Sequence, residues 1–152
     1  MSLFFEHQTS SFKRSYLRNL IKLASADGVL KDEERHLINS FGIRRGLKTW
    51  QIDELFQEEL AHELFVPESI ANRMNMLHDL MELVYVDRQA SKGEMAVISD
   101  LLKAFHLDVR LLDTLIHLFH EGTPDPLDWR DFVGDVCCPS VAQSQQPHPF
   151  LP

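Results

Sequence analysis

The chain has little with which to staple, kink or span anything. Its two cysteines in 152 residues are neighbours, Cys137 and Cys138. Adjacent thiols cannot close a fold-stabilising loop, so a disulfide-framed secreted domain is disfavoured and a reducing, cytoplasmic setting is expected. Six glycines and seven prolines are few, and four of the prolines follow residue 138. That argues against collagen, low-complexity chains and turn-rich all-β folds. No apolar run approaches the ~20 residues of a membrane helix. The stretch Met1–His7 meets a charge at Glu6, too soon for a secretory signal. Lys and Arg number 15 against 23 Asp and Glu, a net charge of −8. Nucleic acid is therefore not an expected partner, because phosphates are held by concentrated basic residues. There is also no Gly-rich phosphate loop, no Gly-x-Ser-x-Gly elbow and no His-Glu-x-x-His pair.

What is present is helical periodicity. Phe12, Tyr16, Leu17, Leu20, Ile21, Leu23 and Ala24 form one stripe that stops at Asp27-Gly28. A second helix is expected over about 32–45, closed by Gly46, where a left-handed residue ends a helix. A third begins near Thr49 and carries Ile52, Leu55, Phe56 and Leu60. Pro67-Glu68 opens a fourth on Met74, Leu77, Leu80, Met81 and Val84. A fifth follows Ser91, a sixth follows Asp108, and a short seventh is expected over Leu127–Val136. Strand alternation is nowhere convincing. The expectation is an all-α bundle of six or seven helices, one domain over 1–138. The Pro- and Gln-rich stretch 139–152 lacks the apolar content for a core and reads as a flexible tail.

A gapless shift of 60 residues aligns 20–56 with 80–116 and gives eight identities in 37 positions. Composition alone would give roughly two. Leu20/Leu80, Leu23/Leu83, Asp27/Asp87, Glu34/Glu94, Ile38/Ile98 and Leu47/Leu107 are among them. Two three-helix units, about 12–60 and 70–120, should therefore pack face to face in a pseudo-twofold arrangement, since neither buries its stripe alone.

Each unit carries Asp-x6-Glu: Asp27 with Glu34, and Asp87 with Glu94. Asp27-Gly-Val-Leu-Lys-Asp-Glu-Glu34 has the spacing of the second half of an EF-hand loop, but Leu23 and Ser25 stand where earlier ligands would be. One unit offers two carboxylates, too few for calcium; two units could pool four. An all-oxygen set suits Ca²⁺, Mg²⁺ or Mn²⁺ better than Zn²⁺. The competing reading is structural: Ser91-Lys-Gly-Glu94 is a capping box, and Glu34 can play the same part at its own helix start. Both readings stand on the sequence.

The run Leu23-Ala-Ser-Ala-Asp-Gly-Val-Leu-Lys-Asp-Glu-Glu34, repeated more weakly over Leu83–Glu94, resembles the TerB-like family of tellurite-resistance proteins over about residues 12–120. The resemblance implies an all-helical, twice-repeated fold, similar also to the N-terminal domain of a membrane-anchored J-domain co-chaperone. It implies a metal-binding acidic site on Asp27, Glu34, Asp87 and Glu94. It further implies a non-catalytic interaction component of a stress-response assembly at the inner face of the bacterial membrane. The alternative is a metal-dependent hydrolase using the same carboxylates. Arg88 stands where the first unit has Gly28 and could neutralise Asp87 in place of a metal. The chain beyond residue 121 lies outside the resemblance.

Protein partners are the expected ligands of such a module. Lys13, Arg14, Arg18 and Lys22 draw a basic line along the first helix, suited to an acidic partner or anionic lipid, or simply to water. Arg44, Arg45 and Lys48 form a second basic cluster. The eight histidines, His117 and His120 included, are read as boundary residues, and Trp50 and Trp129 as packing residues. Cys137-Cys138 is read as incidental.

Overall fold

The computed structural model describes residues 10–58, 63–86 and 90–137. All regular structure there is helical: α1 Ser10–Ala24, α2 Asp32–Arg44, α3 Thr49–Gln57, α4 Ile70–Val84, α5 Lys92–Ala104, α6 Leu111–Phe119 and α7 Pro126–Cys137. The chain divides between Gly122 and Thr123 into two compact units. The first holds α1–α6. The second holds α7, on which the Trp129 and Phe132 rings lie 5.2 Å apart. The expected tail, 139–152, and Cys138 fall outside the described residues.

The repeat is written into the backbone. α1 and α4 begin and end 60 residues apart, as do α2 and α5. Their closing hydrogen bonds are copies as well. The Ser25 amide donates to the Ile21 carbonyl at 2.9 Å, and the Tyr85 amide to that of Met81 at 3.2 Å. α2 ends in a Schellman motif in which Gly46 N–H donates to Ile43 O and Leu47 N–H to Gly42 O. α5 ends with the same pair of bonds, His106 to Lys103 and Leu107 to Leu102. Gly46 has φ +93°, as its C′ position requires; His106 takes φ +61° at the equivalent place without a glycine's freedom.

Tertiary packing follows the same exchange. α1 packs on α2, α3, α4 and α5, while α4 packs on α5, α6, α1 and α2; α2 meets α3 as α5 meets α6. Exchanging the two halves maps this set of contacts onto itself, as a pseudo-twofold through the α1–α4 pair requires. That pair forms the centre of the core, with Leu17, Leu20, Leu23, Leu77, Leu80 and Leu83 all buried. Full burial of one such side chain stabilises by about 1.5–3 kcal/mol. Gly42 permits close approach: a Cβ there would come within 2.9 Å of Ile52 and Leu17 side-chain atoms.

Two expectations shift. α4 begins at Ile70, not at Pro67-Glu68, because Ser69 is the N-cap and its Oγ accepts from Asn72 N–H at 3.0 Å. Trp50 is 55% exposed, not packed in the core. Ile52 and Leu55 face inward on α3, and two residues earlier is the opposite side of a helix. Leu60 lies outside the described residues.

Candidate functional site

The described carboxylates of the repeated acidic pairs are engaged with backbone amides. Glu94 is 4% exposed; its Oε1 accepts from Ser91 N–H at 2.9 Å, and its own N–H donates to Ser91 Oγ at 3.0 Å. The capping box read from the sequence is therefore formed. Glu34, 3% exposed, accepts from Lys31 N–H at 3.1 Å, the reciprocal half of the same box, since Lys31 has no side-chain oxygen to return the bond. Asp27 is exposed and its Oδ1 takes Val29 N–H at 3.3 Å. Asp87 and Arg88 lie outside the described residues. Among those described, Asp27, Glu34 and Glu94 do not assemble into a group with ligand atoms within 4.8 Å. The two halves do meet there: a Cβ on Gly93 would lie 3.1 Å from the Ala26 carbonyl oxygen, so glycine lets the Asp27 turn rest on the first turn of α5.

A different group of ligand-type atoms does converge, His78, Asp79 and Glu82 on α4, all within 4.8 Å of one another. His78 Nδ1 lies 3.2 Å from Glu82 Oε1. Reading the histidines as boundary residues misses this group; the i, i+4 spacing of His78 and Glu82 was the available signal. Its third member already serves a network. Asp79 Oδ2 accepts from Tyr16 OH at 2.8 Å and forms an ion pair with Arg45, whose Nη2 also donates to Tyr16 OH at 2.8 Å. The Arg45 guanidinium stacks 4.1 Å from the Tyr16 ring centre. Burial pushes the Asp79 carboxyl above the ordinary range, against the pull of Arg45 and Tyr16. Burial, then Asp79, pushes the Tyr16 hydroxyl well above its ordinary value. Burial opposes the Arg45 charge, but Tyr16 and Asp79 outweigh it and raise its value. A cation at His78 and Glu82 would have to share Asp79 with a guanidinium, which weakens the group as a metal site.

A cleft of ≈ 440 Å³ runs beside α1 toward the end of α3 and the extended segment 63–66. Ile21, Leu55, Leu64, Phe65 and Val66 give it an apolar floor. Arg18 crosses its rim and forks onto Glu58, Nε to Oε1 at 2.9 Å and Nη2 to Oε2 at 3.2 Å. That hydrogen bonding draws the Glu58 carboxyl below its ordinary range. Asn19, buried, holds one wall as a neighbouring strand would: its Nδ2 donates to Phe65 O at 2.7 Å and its Oδ1 accepts from Phe65 N–H at 3.0 Å. The sequence offers no sign that Asn19 is anything but a helix-surface amide.

The basic line along α1 is thus divided. Arg18 is committed to Glu58, and Lys13, Arg14 and Lys22 are half-buried, not fully in water. His117 and His120 are exposed. No described helix is long and apolar enough to cross a membrane. No family model, no curated protein and no solved structure matches the chain.

Proposed function

We propose that the chain is a non-catalytic interaction module of the TerB-like kind, and that it receives an apolar segment of a protein partner in the cleft beside α1. The cleft carries this reading. It has an apolar floor, a charged rim and a wall held by the Asn19 clamp, which is the make-up of a binding site. Among its described lining residues Ser15 has no hydrogen-bonded base and Glu58 is held by Arg18, whereas a hydrolytic site would need a paired nucleophile and base. The buried glutamates that a cation cage would use, Glu34 and Glu94, each accept a backbone amide at a helix start. A divalent cation on Asp27, Glu34, Asp87 and Glu94 is the second reading, favoured by the close seat of the Asp27 turn on α5. A stress-response assembly at the inner face of the membrane is the setting that the resemblance implies.

Peptide selection against the purified protein tests the first reading. Selected apolar peptides should bind the wild type and lose at least tenfold in affinity to Ser15→Trp, which fills the cleft mouth. Equal binding by both proteins would place the interaction elsewhere. Calorimetric titration of metal-free protein with Ca²⁺, Mg²⁺, Mn²⁺ and Zn²⁺ tests the second. Binding heat that Asp27→Asn abolishes would establish the cation site, and turnover of an ester substrate with that metal would revive the hydrolase.

A further inference from the structure

The two basic clusters of the sequence, one on α1 and one at the end of α2, meet in the fold. A cavity of ≈ 180 Å³ is lined by Phe12 and Lys13 of α1, Arg44 and Arg45 at the end of α2, and Asn72 and Asn75 of α4. At about 30 Å³ per water it has room for several waters, and so for a small oxyanion. We propose that this pocket binds a phosphate group, either as a soluble phosphomonoester or as a lipid headgroup.

Three observations carry the assignment. Among the described residues the lining presents three cations and two amides and no carboxylate. Arg45 is neutralised by Asp79, but no described carboxylate pairs with Lys13 or Arg44. Arg45 also keeps its Nε, a buried donor, without an acceptor. Two of the three cations, Lys13 and Arg45, are half-buried, and Arg44 is exposed. A Cβ on Gly46 would lie 3.1 Å from Lys13 Nζ, so the glycine leaves room for the ammonium against the end of α2. Arg44 is held over the Phe41 ring, 5.0 Å from its centre. Asn72 is only 3% exposed.

The repeat supplies the third observation. The equivalent positions 60 residues away replace Arg44 and Arg45 by Ala104 and Phe105, and Asn72 and Asn75 by Phe12 and Ser15. Only Lys13 keeps a cation, as Arg73, whose Nε donates to the Pro67 carbonyl at 2.7 Å. The same fold is therefore built at the other end without this charge. The partial negative charge at the end of α2, roughly half an elementary charge, offsets part of one cation and not the remaining pair. Arg and Lys with amide donors around a small cavity suit a phosphate, which offers several acceptor oxygens at once.

The test is a titration of the full chain with inorganic phosphate at constant ionic strength, read by amide chemical shifts, with chloride as the matched control. Shifts should centre on Gly46, Asn72 and Asn75. Apparent affinity should fall at least tenfold in Lys13→Met and in Arg44→Ala, and stay within twofold in Lys48→Met. Arg45 is left intact because Asp79 and Tyr16 depend on it. Co-sedimentation with phosphatidic acid vesicles separates the sources. Sedimentation that glycerol phosphate competes away identifies a headgroup, and phosphate binding without sedimentation identifies a soluble ligand. Diffuse shifts, no saturation, or a response equal in wild type and both pocket variants would overturn the proposal. So would vesicle binding indifferent to Lys13→Met and Arg44→Ala.

Discussion

The α1–α4 crossing contains the same pair of repeat positions twice, and the two copies are filled by opposite chemistry. In one, Tyr16 of α1 donates to Asp79 of α4, with Arg45 closing the group as an ion pair. In the other, Met76 of α4 takes a contact at 3.2 Å from Asn19 Nδ2 of α1, and Phe105 occupies the place of Arg45. Position 16 corresponds to 76, 19 to 79 and 45 to 105. The backbone is common to both ends, so the charged triad is not a requirement of the fold. The neutral end holds the 63–66 segment that walls the cleft; the charged end holds Arg45 at the edge of the cationic pocket. One duplicated frame thus presents two different concave surfaces.

The largest expected effect comes from breaking the charged copy. Asp79→Ala strands the Arg45 guanidinium and should cost about 3 kcal/mol, the low end for a broken buried pair because the Arg45 side chain is 30% exposed. Asn19→Ala at the neutral copy removes both hydrogen bonds to Phe65 and should cost about 2 kcal/mol. Urea unfolding orders the two. A larger loss at Asn19 would mean that the neutral end is the stronger clamp.

A sharper comparison makes both ends alike. The triple substitution Tyr16→Met, Asp79→Asn, Arg45→Phe copies the neutral end onto the charged one. It should fold, with stability at neutral pH unchanged or raised by up to about 2 kcal/mol, since well-packed replacements of buried ion pairs are often stabilising. The outcome depends on pH with a definite sign. Asp79 is raised in the folded state, so its contribution is complete below the ordinary carboxylate value and declines as pH rises through the folded value. The stability of wild type relative to the triple variant should therefore fall from acidic to neutral pH. A relative gain over that interval would show that Arg45 dominates burial at Asp79.

The smallest effect concerns the repeated helix ends. His106→Gly should add about 0.5–1 kcal/mol, because glycine relieves the left-handed backbone that histidine occupies at φ +61°. Gly46→Ala should lose about 1–2 kcal/mol at the matching position. Thermal midpoints of the two variants should move in opposite directions. Movement in the same direction would show that the two caps are not equivalent.

Much of this architecture is legible in the residues. The stripe from Phe12 to Ala24, the stop at Gly46 and the box from Ser91 to Glu94 all depend on neighbours within a few positions. The 60-residue shift that aligns Asp27 with Asp87 and Glu34 with Glu94 also aligns the helix bounds themselves. The chemistry of those carboxylates is less legible. Glu34 and Glu94 carry the same letters whether they cap a helix or hold a cation, and burial with a backbone amide is what distinguishes the described state.

Helix positions, the duplication and the caps at Gly46 and Ser91 were determined by the sequence alone, because periodicity and cap chemistry act over one or two turns; the Ser69 cap of α4 was not. Tertiary structure decided which polar residues the core accepts. Arg45 meets Asp79 across 34 positions and Tyr16 across 29; Asn19 reaches Phe65 across 46. In the sequence Arg45, Asp79 and Asn19 each resemble an ordinary solvated residue on a helix face. Only when α1, α4 and the end of α2 come within hydrogen-bonding distance does burial raise the cost of leaving any of them unpaired, and so fix their partners.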